Sequence, residues 1–404
     1  MLAALWTVLA VVLVAATLPG TLELLLLTLA ALLPARREHR AASPVPVDRL
    51  AVIVPAHDEE ATIAACLDSL RHCRRGAGEV AVVVVADNCR DRTAERARAL
   101  GAEVLERRDP GRPGKGHALA HAFAALGPRG FDAFLVVDAD SRVEPDLIRA
   151  CGRALRAGAD AVQCRVAYPA DGASPYGRLL ALSFWSNGLI RPRGRDRLGL
   201  SCGLLGSGFA LRRETLAAVP FDAASIAEDL EYHLRLVLRG RRVRFVEDTT
   251  VRLQAPPTLA AARSQRSRWE GGRLRMVTER GPVLLRGVLA GRWRLAEPLL
   301  DLLLLPLGFH CLLLLVLLAS PLDWSRLYAL AGLGVVLLHL LVAVRAGKGS
   351  WRDLAALLLV PWYLAWKLTL LGAILAGSRA GAPWVRTPRW APGGDGAPGR
   401  PDDR

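Results

Sequence analysis

Two aspartates separated by one residue follow an apolar run near the middle of the chain. Asp138 and Asp140 come at the end of this run, which covers residues 133–137. Because alternate side chains of an extended chain lie on the same side, both carboxylates can converge where a strand ends. Such a pair can bind Mg²⁺ or Mn²⁺ while the metal holds a diphosphate group. The same pattern also occurs at ordinary strand-to-loop turns, so by itself it leaves both interpretations open.

Further polar residues follow a second apolar run. Asp87 ends the run that covers residues 80–86, and Asp91 comes four residues later. Turn formation or helix capping is a sufficient explanation for Asp91, whereas Asp87 is better placed to accept hydrogen bonds from a nucleobase. Lys115 lies in a glycine-rich run before a predicted helix, where it suits a phosphate or nucleotide. The alternative is a flexible basic loop, and the spacing is not that of a P-loop.

Two adjacent acids, Glu228 and Asp229, open a predicted amphipathic helix over residues 230–238. Ser225 and Glu228 have the spacing of a capping box, which would explain Glu228 structurally. Asp229 has no such structural reason. We interpret it as a general base that deprotonates an acceptor hydroxyl group.

A basic amphipathic segment, residues 258–277, has the composition of a helix that lies in a membrane interface. Within it, Gln265, Arg268 and Trp269 have the i, i+3, i+4 spacing of one helical face. An arginine can bind a leaving diphosphate with two hydrogen bonds, and a tryptophan can stack on a sugar or acceptor. Arginine and tryptophan at the level of the lipid headgroups are the competing explanation.

Alternating strands and helices are predicted between residues 50 and 252, and they provide the scaffold for these side chains. Strands are predicted at residues 51–54, 80–86, 102–105 and 133–137, and helices at residues 60–73, 93–100, 116–126 and 145–157. This alternation indicates an α/β fold with a mostly parallel, doubly wound sheet. Ligands bind at the carboxyl ends of such strands, which is where the acidic residues lie.

The composition favours a protein that combines this domain with membrane segments. The chain has 404 residues, of which 52% are hydrophobic, and a formal net charge of +15. The arginines are spread along the chain, which disfavours nucleic acid and suits a lipid surface or an anionic substrate. The seven cysteines have no zinc spacing, so we expect reduced thiols and a cytosolic catalytic part.

Four regions are apolar enough to enter a membrane. Residues 1–34 are predicted to form one long span, with two short spans or a signal peptide as alternatives. The basic run at residues 36–40 places the following domain in the cytoplasm. Residues 299–319 and 327–344 are predicted spans. Residues 354–376 have basic residues on both sides, which indicates an interfacial or re-entrant segment.

Together, the motifs resemble those of membrane glycosyltransferases of family 2, the group of cellulose, hyaluronan and chitin-oligosaccharide synthases. The resemblance covers residues 50–270 and rests on the order of the motifs, which include Val54-Pro55-Ala56-His57-Asp58-Glu59, Asp87 with Asp91, Lys115-Gly116, Asp138-Ala139-Asp140, Gly206-Ser207-Gly208, Glu228-Asp229 and Gln265-Arg266-Ser267-Arg268-Trp269. Two features depart from the group. His57-Asp58 stands where an asparagine usually precedes Glu59, and the phenylalanine-valine-threonine gating signature of cellulose synthases is missing after Trp269.

The resemblance implies a GT-A fold and an inverting transfer from a nucleotide-diphosphate sugar, expected to be a UDP-sugar, with Mg²⁺ or Mn²⁺ as cofactor. The implied nucleotide-sugar ligands are Glu59, Asp87, Lys115 and Asp138. Asp140, with Asp138, would hold the metal, and Asp229, with Glu228 beside it, would be the base. The diphosphate and the acceptor would be held by Gly206, Gly208, Gln265, Arg268 and Trp269.

We therefore expect an integral membrane protein with a cytoplasmic GT-A domain at residues 45–255. It would be flanked by an anchor at 1–40, interfacial helices at 256–295, membrane helices at 296–378 and a tail at 379–404. Its expected partners are a nucleotide sugar, a glycan or lipid acceptor and membrane lipid. The predicted product is a surface polysaccharide or glycan. The alternatives are non-processive lipid glycosylation, as in ceramide glucosyltransferases, and a silent membrane scaffold, which the intact set of aspartates disfavours.

Overall fold

An eight-stranded sheet forms the centre of the computed structural model, which describes residues 2–35, 47–74, 76, 78–169, 174–223, 225–256 and 258–379. The basic run at residues 36–40 and residues 380–404 of the predicted tail lie outside the described residues. The strands are β1 Arg49–Ala56, β2 Glu79–Asp87, β3 Glu103–Arg107, β4 Ala133–Val136, β5 Arg142–Val143, β6 Ala161–Ala167, β7 Phe209–Arg212 and β8 Val243–Arg252.

The strand order is β3-β2-β1-β4-β7-β6-β8-β5. β1, β2, β3, β4, β6 and β8 share one direction, whereas β7 and β5 run antiparallel to their neighbours. The predicted mostly parallel sheet and its first four strands are thus confirmed. The sequence pattern did not predict β5 to β8. In particular, a four-residue strand such as β7 carries no periodicity that fixes its direction.

Helices cover both faces of the sheet and continue into an apolar bundle. They are α1 Leu2–Ala31, α2 Ile63–Arg71, α3 Thr93–Ala99, α4 Lys115–Leu126, α5 Leu147–Arg156, α6 Pro175–Trp185, α7 Arg191–Leu198, α8 Arg213–Ala218, α9 Glu228–Leu238, α10 Leu259–Leu289, α11 Ala296–Leu303, α12 Leu307–Leu318, α13 Asp323–Ala346, α14 Trp351–Ala355, α15 Val360–Leu368 and α16 Leu371–Gly377. A π-helical turn, Ser186–Ile190, joins α6 to α7, and short 3₁₀ segments lie at Gly127–Arg129, Trp293–Leu295 and Ala356–Leu359.

Two of the described helices, α1 and α13, are long and apolar enough to cross a membrane. The single predicted span near the N terminus is therefore confirmed as one helix that passes through Pro19. The segment predicted to span at 299–319 is bent, because α11 ends at Leu303 and α12 begins after Pro306 at an angle of 73°, so the crossing itself stays a prediction. Proline lacks the backbone N–H of a continuing helix and favours an extended residue before it. A second bend, of 54°, separates α15 from α16 in the segment predicted as interfacial or re-entrant.

The sheet is attached to α1 through α7, where the two backbones come unusually close. A Cβ atom at Gly194 would lie 2.3 Å from the carbonyl oxygen of Leu27, so a larger residue would force the helices apart. Beside this contact, Arg191 and Arg195 both pair with Glu23, at 2.8 and 3.2 Å. We call the buried ionic group around this contact the anchor network; it consists of Glu23, Arg191, Arg195, Arg273, Glu297 and Asp301.

Candidate active site

A cavity of about 350 Å³ lies along the carboxyl edge of the sheet. Strand ends supply much of its floor, because the parallel strands all finish at this edge. The predicted site residues that line it are Glu59, Asp87, Lys115, Asp138, Asp140, Gly206, Glu228, Asp229, Gln265, Arg268 and Trp269. Gly208 does not line the cavity. It packs beneath, where an added Cβ would lie 2.6 Å from Val251.

The reversed direction of β7 brings a glycine loop to the acidic residues. Because β7 starts at this edge, the residues before it reach the cavity. Gly206 has a φ of +81°, which favours glycine, and an added Cβ would lie 3.3 Å from the Asp229 carboxylate. Ser207 supports the first aspartate, since its hydroxyl oxygen accepts the backbone N–H of Asp138 at 3.0 Å.

Lys115 is the hub of the acidic cluster. Its ammonium group pairs with Asp138 at 2.5 Å and lies 3.7 Å from Glu228, and it donates to the carbonyl oxygen of Gly206 at 2.6 Å. It follows Gly114, which has a φ of +119°, at the start of α4. The lysine thus joins the ends of three elements, and the predicted nucleotide contact would have to share its ammonium group with these carboxylates.

Burial and mutual repulsion shift the titration of this cluster. Burial raises the pKa of Glu228 to about 7, with Lys115 opposing the shift and Asp229 adding to it. Burial also raises the pKa of Asp229, again against the effect of Lys115. For Lys115, burial alone would lower the pKa, but the surrounding carboxylates outweigh it and the net shift is upward. Three carboxylates, those of Asp138, Glu228 and Asp229, therefore surround the one ammonium group of Lys115.

The predicted capping box between Ser225 and Glu228 does not form. α9 begins at Glu228 and has no side-chain cap. The backbone N–H of Ser225 is instead bonded to Glu231 at 3.1 Å, and the Ser225 hydroxyl is buried without a partner among the described residues. The structural explanation of Glu228 is therefore wrong. Its carboxylate faces Lys115, because the chain between Ser225 and α9 is a turn that directs the helix N terminus at the cavity.

Asp87 is held by an arginine that the sequence reasoning missed. Arg107 lies opposite Asp87 in the register of β2 and β3, and its guanidinium donates to the Asp87 carboxylate at 2.6 Å. The same arginine donates to Asp109 at 3.0 Å. The sequence does place Arg107 near the end of the next predicted strand. Only the order of the strands in the sheet, however, makes it a neighbour of Asp87.

The opposite wall of the cavity belongs to α10. Gln265, Arg268 and Trp269 line the cavity together, as their spacing predicts. Gly272 allows the approach, because an added Cβ would lie 2.8 Å from the Cβ of Ala227, directly before α9. This contact sets α10 across from the two acids of α9.

Several lining residues had no predicted role, and three of them have polar or aromatic side chains. Tyr168 directly follows β6 and Gln254 lies two residues after β8, two strands that the sequence pattern did not predict, and Phe184 comes from α6. The rings of Tyr168 and Phe184 meet edge to face at 4.5 Å between centroids, and Phe184 lies 6.2 Å from Trp269. The aromatic side of the site is thus larger than the single tryptophan that the sequence indicated.

A second group of side chains that could ligate a metal lies beside the cavity, but its carboxylates accept hydrogen bonds from nearby backbone N–H groups. Asp58, Cys89 and Asp91 have ligand atoms within 4.8 Å of one another. Asp58 accepts the N–H of Arg90, and Asp91 accepts the N–H groups of Glu60 and Thr93. Burial raises the pKa of the Cys89 thiol to about 11, so it stays protonated at neutral pH. This group organises the loops after β1 and β2.

The family described as glycosyltransferase-like family 2 matches residues 46–272, which is more than half of the chain. The chain belongs to this family. A curated relative, the probable glycosyltransferase YdaM of Bacillus subtilis (strain 168), is 26% identical over 251 residues, which is 59% of this chain and 58% of YdaM. This family 2 chain thus matches little more than half the length of that relative.

A solved structure shows the same fold. The mannosyltransferase PcManGT of Pyrobaculum calidifontis, solved with GDP-Man and Mn²⁺, is 20% identical and superposes with a TM-score of 0.51 over 89% of this chain and 99% of that one. Glucosyl-3-phosphoglycerate synthase of Mycobacterium tuberculosis, solved with Mn²⁺, UDP and phosphoglyceric acid, is 23% identical over 55% of this chain and 76% of that one, with a TM-score of 0.39. The predicted GT-A fold is confirmed.

Proposed function

We propose that this protein transfers a sugar, with inversion, from a nucleotide-diphosphate sugar to a hydroxyl group of a glycan at a membrane surface. One observation carries the proposal: Asp87, the acids at the ends of β4 and α9, and the polar face of α10 meet in one cavity. The solved relatives hold UDP or GDP-Man with a divalent metal, which supports a nucleotide sugar as donor.

In the proposed reaction, the side chains have separate roles along the cavity. Asp87, fixed by Arg107, would accept hydrogen bonds from the base, expected to be uracil. Glu59 and Asp138 would line the nucleotide, and Arg268 with Gln265 would hold the leaving diphosphate. Asp229 would take the proton of the acceptor hydroxyl as it attacks the anomeric carbon. A single displacement of this kind inverts the configuration.

The donor set of the cavity fits Mg²⁺ or Mn²⁺. Asp138, Asp140, Glu228 and Asp229 offer oxygen ligands, and the ammonium group of Lys115 is shared between Asp138 and Glu228. We propose that Asp140, assisted by Asp138, holds the metal. When bound, the metal would neutralise charge on the diphosphate and so stabilise the leaving group.

A lipid acceptor is the second candidate, and one observation favours it. α6 and α10, which supply the aromatic wall, also pack against α13 and α16 of the apolar bundle. An acceptor held by a lipid would therefore reach the cavity from that side. The resemblance of the motifs to those of the cellulose and hyaluronan synthase group supports a polymer instead. Product length separates the two: a ladder indicates a polymer, and one added sugar indicates lipid glycosylation.

The metal site provides the first test of the proposed function. Membranes that hold the protein are incubated with a panel of radiolabelled UDP-sugars and GDP-mannose, with Mn²⁺, with Mg²⁺ or with chelator. We expect transfer from at least one donor, and its loss in chelator and in Asp140→Asn, because several kcal/mol of transition-state stabilisation come from such a metal. Asp58→Asn, in the second acidic group, is the control and should remain metal-dependent. Full transfer in chelator would reject the metal site.

We further propose that the GT-A domain, residues 45–255, faces the cytoplasm between the anchor at 1–40 and the helices at 256–378. All seven cysteines are free thiols and five of them are buried, which supports a reducing compartment. A cysteine at the exposed position Pro128 reports on topology. In intact cells, Pro128→Cys should resist an impermeant maleimide and react after lysis. Labelling before lysis would reverse the orientation.

A further inference from the structure

The side chain of Gln254 has an amide oxygen with no partner in the protein. Gln254 lies two residues after β8 and lines the cavity. Its Oε1 atom is shielded from solvent and, within the part of the chain that the structure describes, accepts no hydrogen bond. A buried acceptor without a hydrogen bond is unfavourable, and such atoms in native proteins generally have a partner. Because Gln254 lines the cavity, a ligand bound there can supply the missing donor once the amide group turns towards it.

The strand order locates Gln254 at the far end of the cavity from the nucleotide. Asp87 ends β2, Asp138 follows β4, and Gln254 follows β8. With neighbouring strands about 4.8 Å apart, Asp87 lies roughly 10 Å to one side of β4 and Gln254 roughly 14 Å to the other. A ligand group at Gln254 is therefore on the acceptor side of the reacting centre.

The cavity residues that come from the same strand ends as Gln254, and from α6, are uncharged. The ends of β6 and β8 and the helix α6 contribute Tyr168, Leu253 and Phe184 to the cavity, and Trp269 adjoins Phe184. The cavity's carboxylates come from elsewhere, namely β2, the loops after β1 and β4, and α9. Aromatic rings bind the C–H faces of a sugar, and an amide oxygen accepts a hydroxyl proton, which an ionised phosphate or carboxylate oxygen does not have. This end is built for a neutral, hydroxyl-bearing ring.

We propose that Gln254 is an acceptor-specificity residue, which accepts a hydroxyl of a neutral sugar ring packed against Tyr168, Phe184 and Trp269. The proposal rests on the proposed function and deepens it, because it names the group next to the reacting hydroxyl as a sugar. A lipid acceptor would then present a sugar headgroup here, and a bare lipid phosphate would not fit.

The test uses the full chain in lipid nanodiscs, with the methyl β-glycosides of glucose, galactose and N-acetylglucosamine and methyl α-mannoside as neutral probes and glycerol 3-phosphate as the anionic probe. Binding is measured by saturation-transfer NMR, and turnover by release of the nucleoside diphosphate. We expect at least one glycoside to bind the wild type, and glycerol 3-phosphate to bind more weakly. In Gln254→Met, the ratio of the acceptor KM to the donor KM should rise about tenfold, as expected for one lost hydrogen bond.

Two further variants make the result specific. Gln254→Glu keeps oxygen atoms that accept a hydroxyl proton, so it should retain more glycoside binding than Gln254→Met. Asn187→Ala removes an exposed amide of the π-helical turn outside the cavity lining and should match the wild type. The proposal is wrong if Gln254→Met binds glycosides like the wild type, if its donor KM changes instead, or if glycerol 3-phosphate binds best. Because binding is measured without a donor, absence of turnover would reject the proposed function alone.

Discussion

Two of the buried groups of charged side chains in the described part of the chain, the anchor network and the acidic cluster of the cavity, are composed differently. In the anchor network, three arginines face three carboxylates, and Arg191 and Arg195 each contact both Glu23 and Asp301. In the cavity, Lys115 faces Asp138 and Glu228, and Asp229 adds a third negative charge nearby. The first group is balanced and holds helices together. The second has an excess of negative charge.

The difference shows how to separate a structural cluster from a functional one when both are buried. A balanced network satisfies its own charges, and a change in it is expected to alter stability. An unbalanced cluster raises the pKa of its own acids and leaves room for a cation or a substrate proton. The following changes test this contrast, from the largest expected effect to the smallest.

Asp229→Asn is expected to have the largest effect. It removes the proposed base while keeping the size of the side chain, so turnover should fall roughly 10²–10⁴-fold. Glu228→Gln should have a smaller effect, because with a pKa of about 7 Glu228 is already partly protonated at neutral pH and glutamine resembles that form. Turnover and UDP binding are measured for both variants in the same membranes. Near-normal turnover of Asp229→Asn, or a loss of UDP binding in step with turnover, would show that Asp229 is not the base.

Glu23→Gln should instead change stability. Removing one member of a buried ionic group leaves uncompensated charge on Arg191 and Arg195, and typically costs about 3–5 kcal/mol of unfolding free energy. The matched control is Glu79→Gln, which breaks an exposed pair with Arg49 and should cost at most about 1 kcal/mol. Both are measured by denaturant unfolding in detergent. If the two variants are equally stable, the anchor network does not hold α7 to α1.

His233 lies close enough to the anchor network for Arg195 and Asp301 to affect its pKa, and a change of this residue should have a smaller effect on stability. Burial and the charge of Arg195 lower the pKa of His233 to about 4, against the effect of Asp301. In the unfolded chain the His233 imidazole has a pKa of about 6.5 and binds a proton more readily than in the folded protein. The neutral histidine therefore leaves stability undiminished above about pH 6.5, and stability falls as the pH drops towards 4. Between pH 7.5 and pH 5 this histidine should account for a loss of about 2 kcal/mol.

The measurement compares unfolding at the two pH values for the wild type, His233→Gln and the exposed control His72→Gln. His233→Gln removes the bond to Ser201 and should lower stability at pH 7.5, but it should flatten the pH dependence. His72→Gln should leave the pH dependence as it is in the wild type. An unchanged slope in His233→Gln would mean that this imidazole is protonated in the folded protein.

Much of the first half of the sheet could be predicted because its strands are continuous apolar runs between amphipathic helices. β1, β2, β3 and β4 end within two residues of their predicted ends, and the acids that follow them line the cavity as expected. In the second half, β7 was missed because it is short and reversed, and β6 and β8 were not predicted either. Tyr168 and Gln254 were missed with them, since only a known strand end identifies the residues that follow it.

The local sequence also predicts where the apolar helices lie, but it does not show where all of them bend. α1 and α13 follow from the length of their apolar runs. The break between α11 and α12 follows from Pro306, a signal present in the sequence that the high hydrophobicity of its flanks concealed. Glu23 is the one charged residue of the apolar helix α1, and the sequence of that helix does not indicate its partners. Its arginine partners lie more than 160 positions away in the chain, in α7.

The sequence by itself determined the family motifs, the parallel strands and the face of α10 that carries Gln265, Arg268 and Trp269, because each depends on spacing within one element. Tertiary structure alone decided how these elements meet. The reversal of β7 brings Gly206 between Lys115 and Asp229, and the contact of Gly272 with Ala227 sets α10 opposite the acids. Burial then decided their charge, because a pKa depends on desolvation and on neighbours that are distant in the chain.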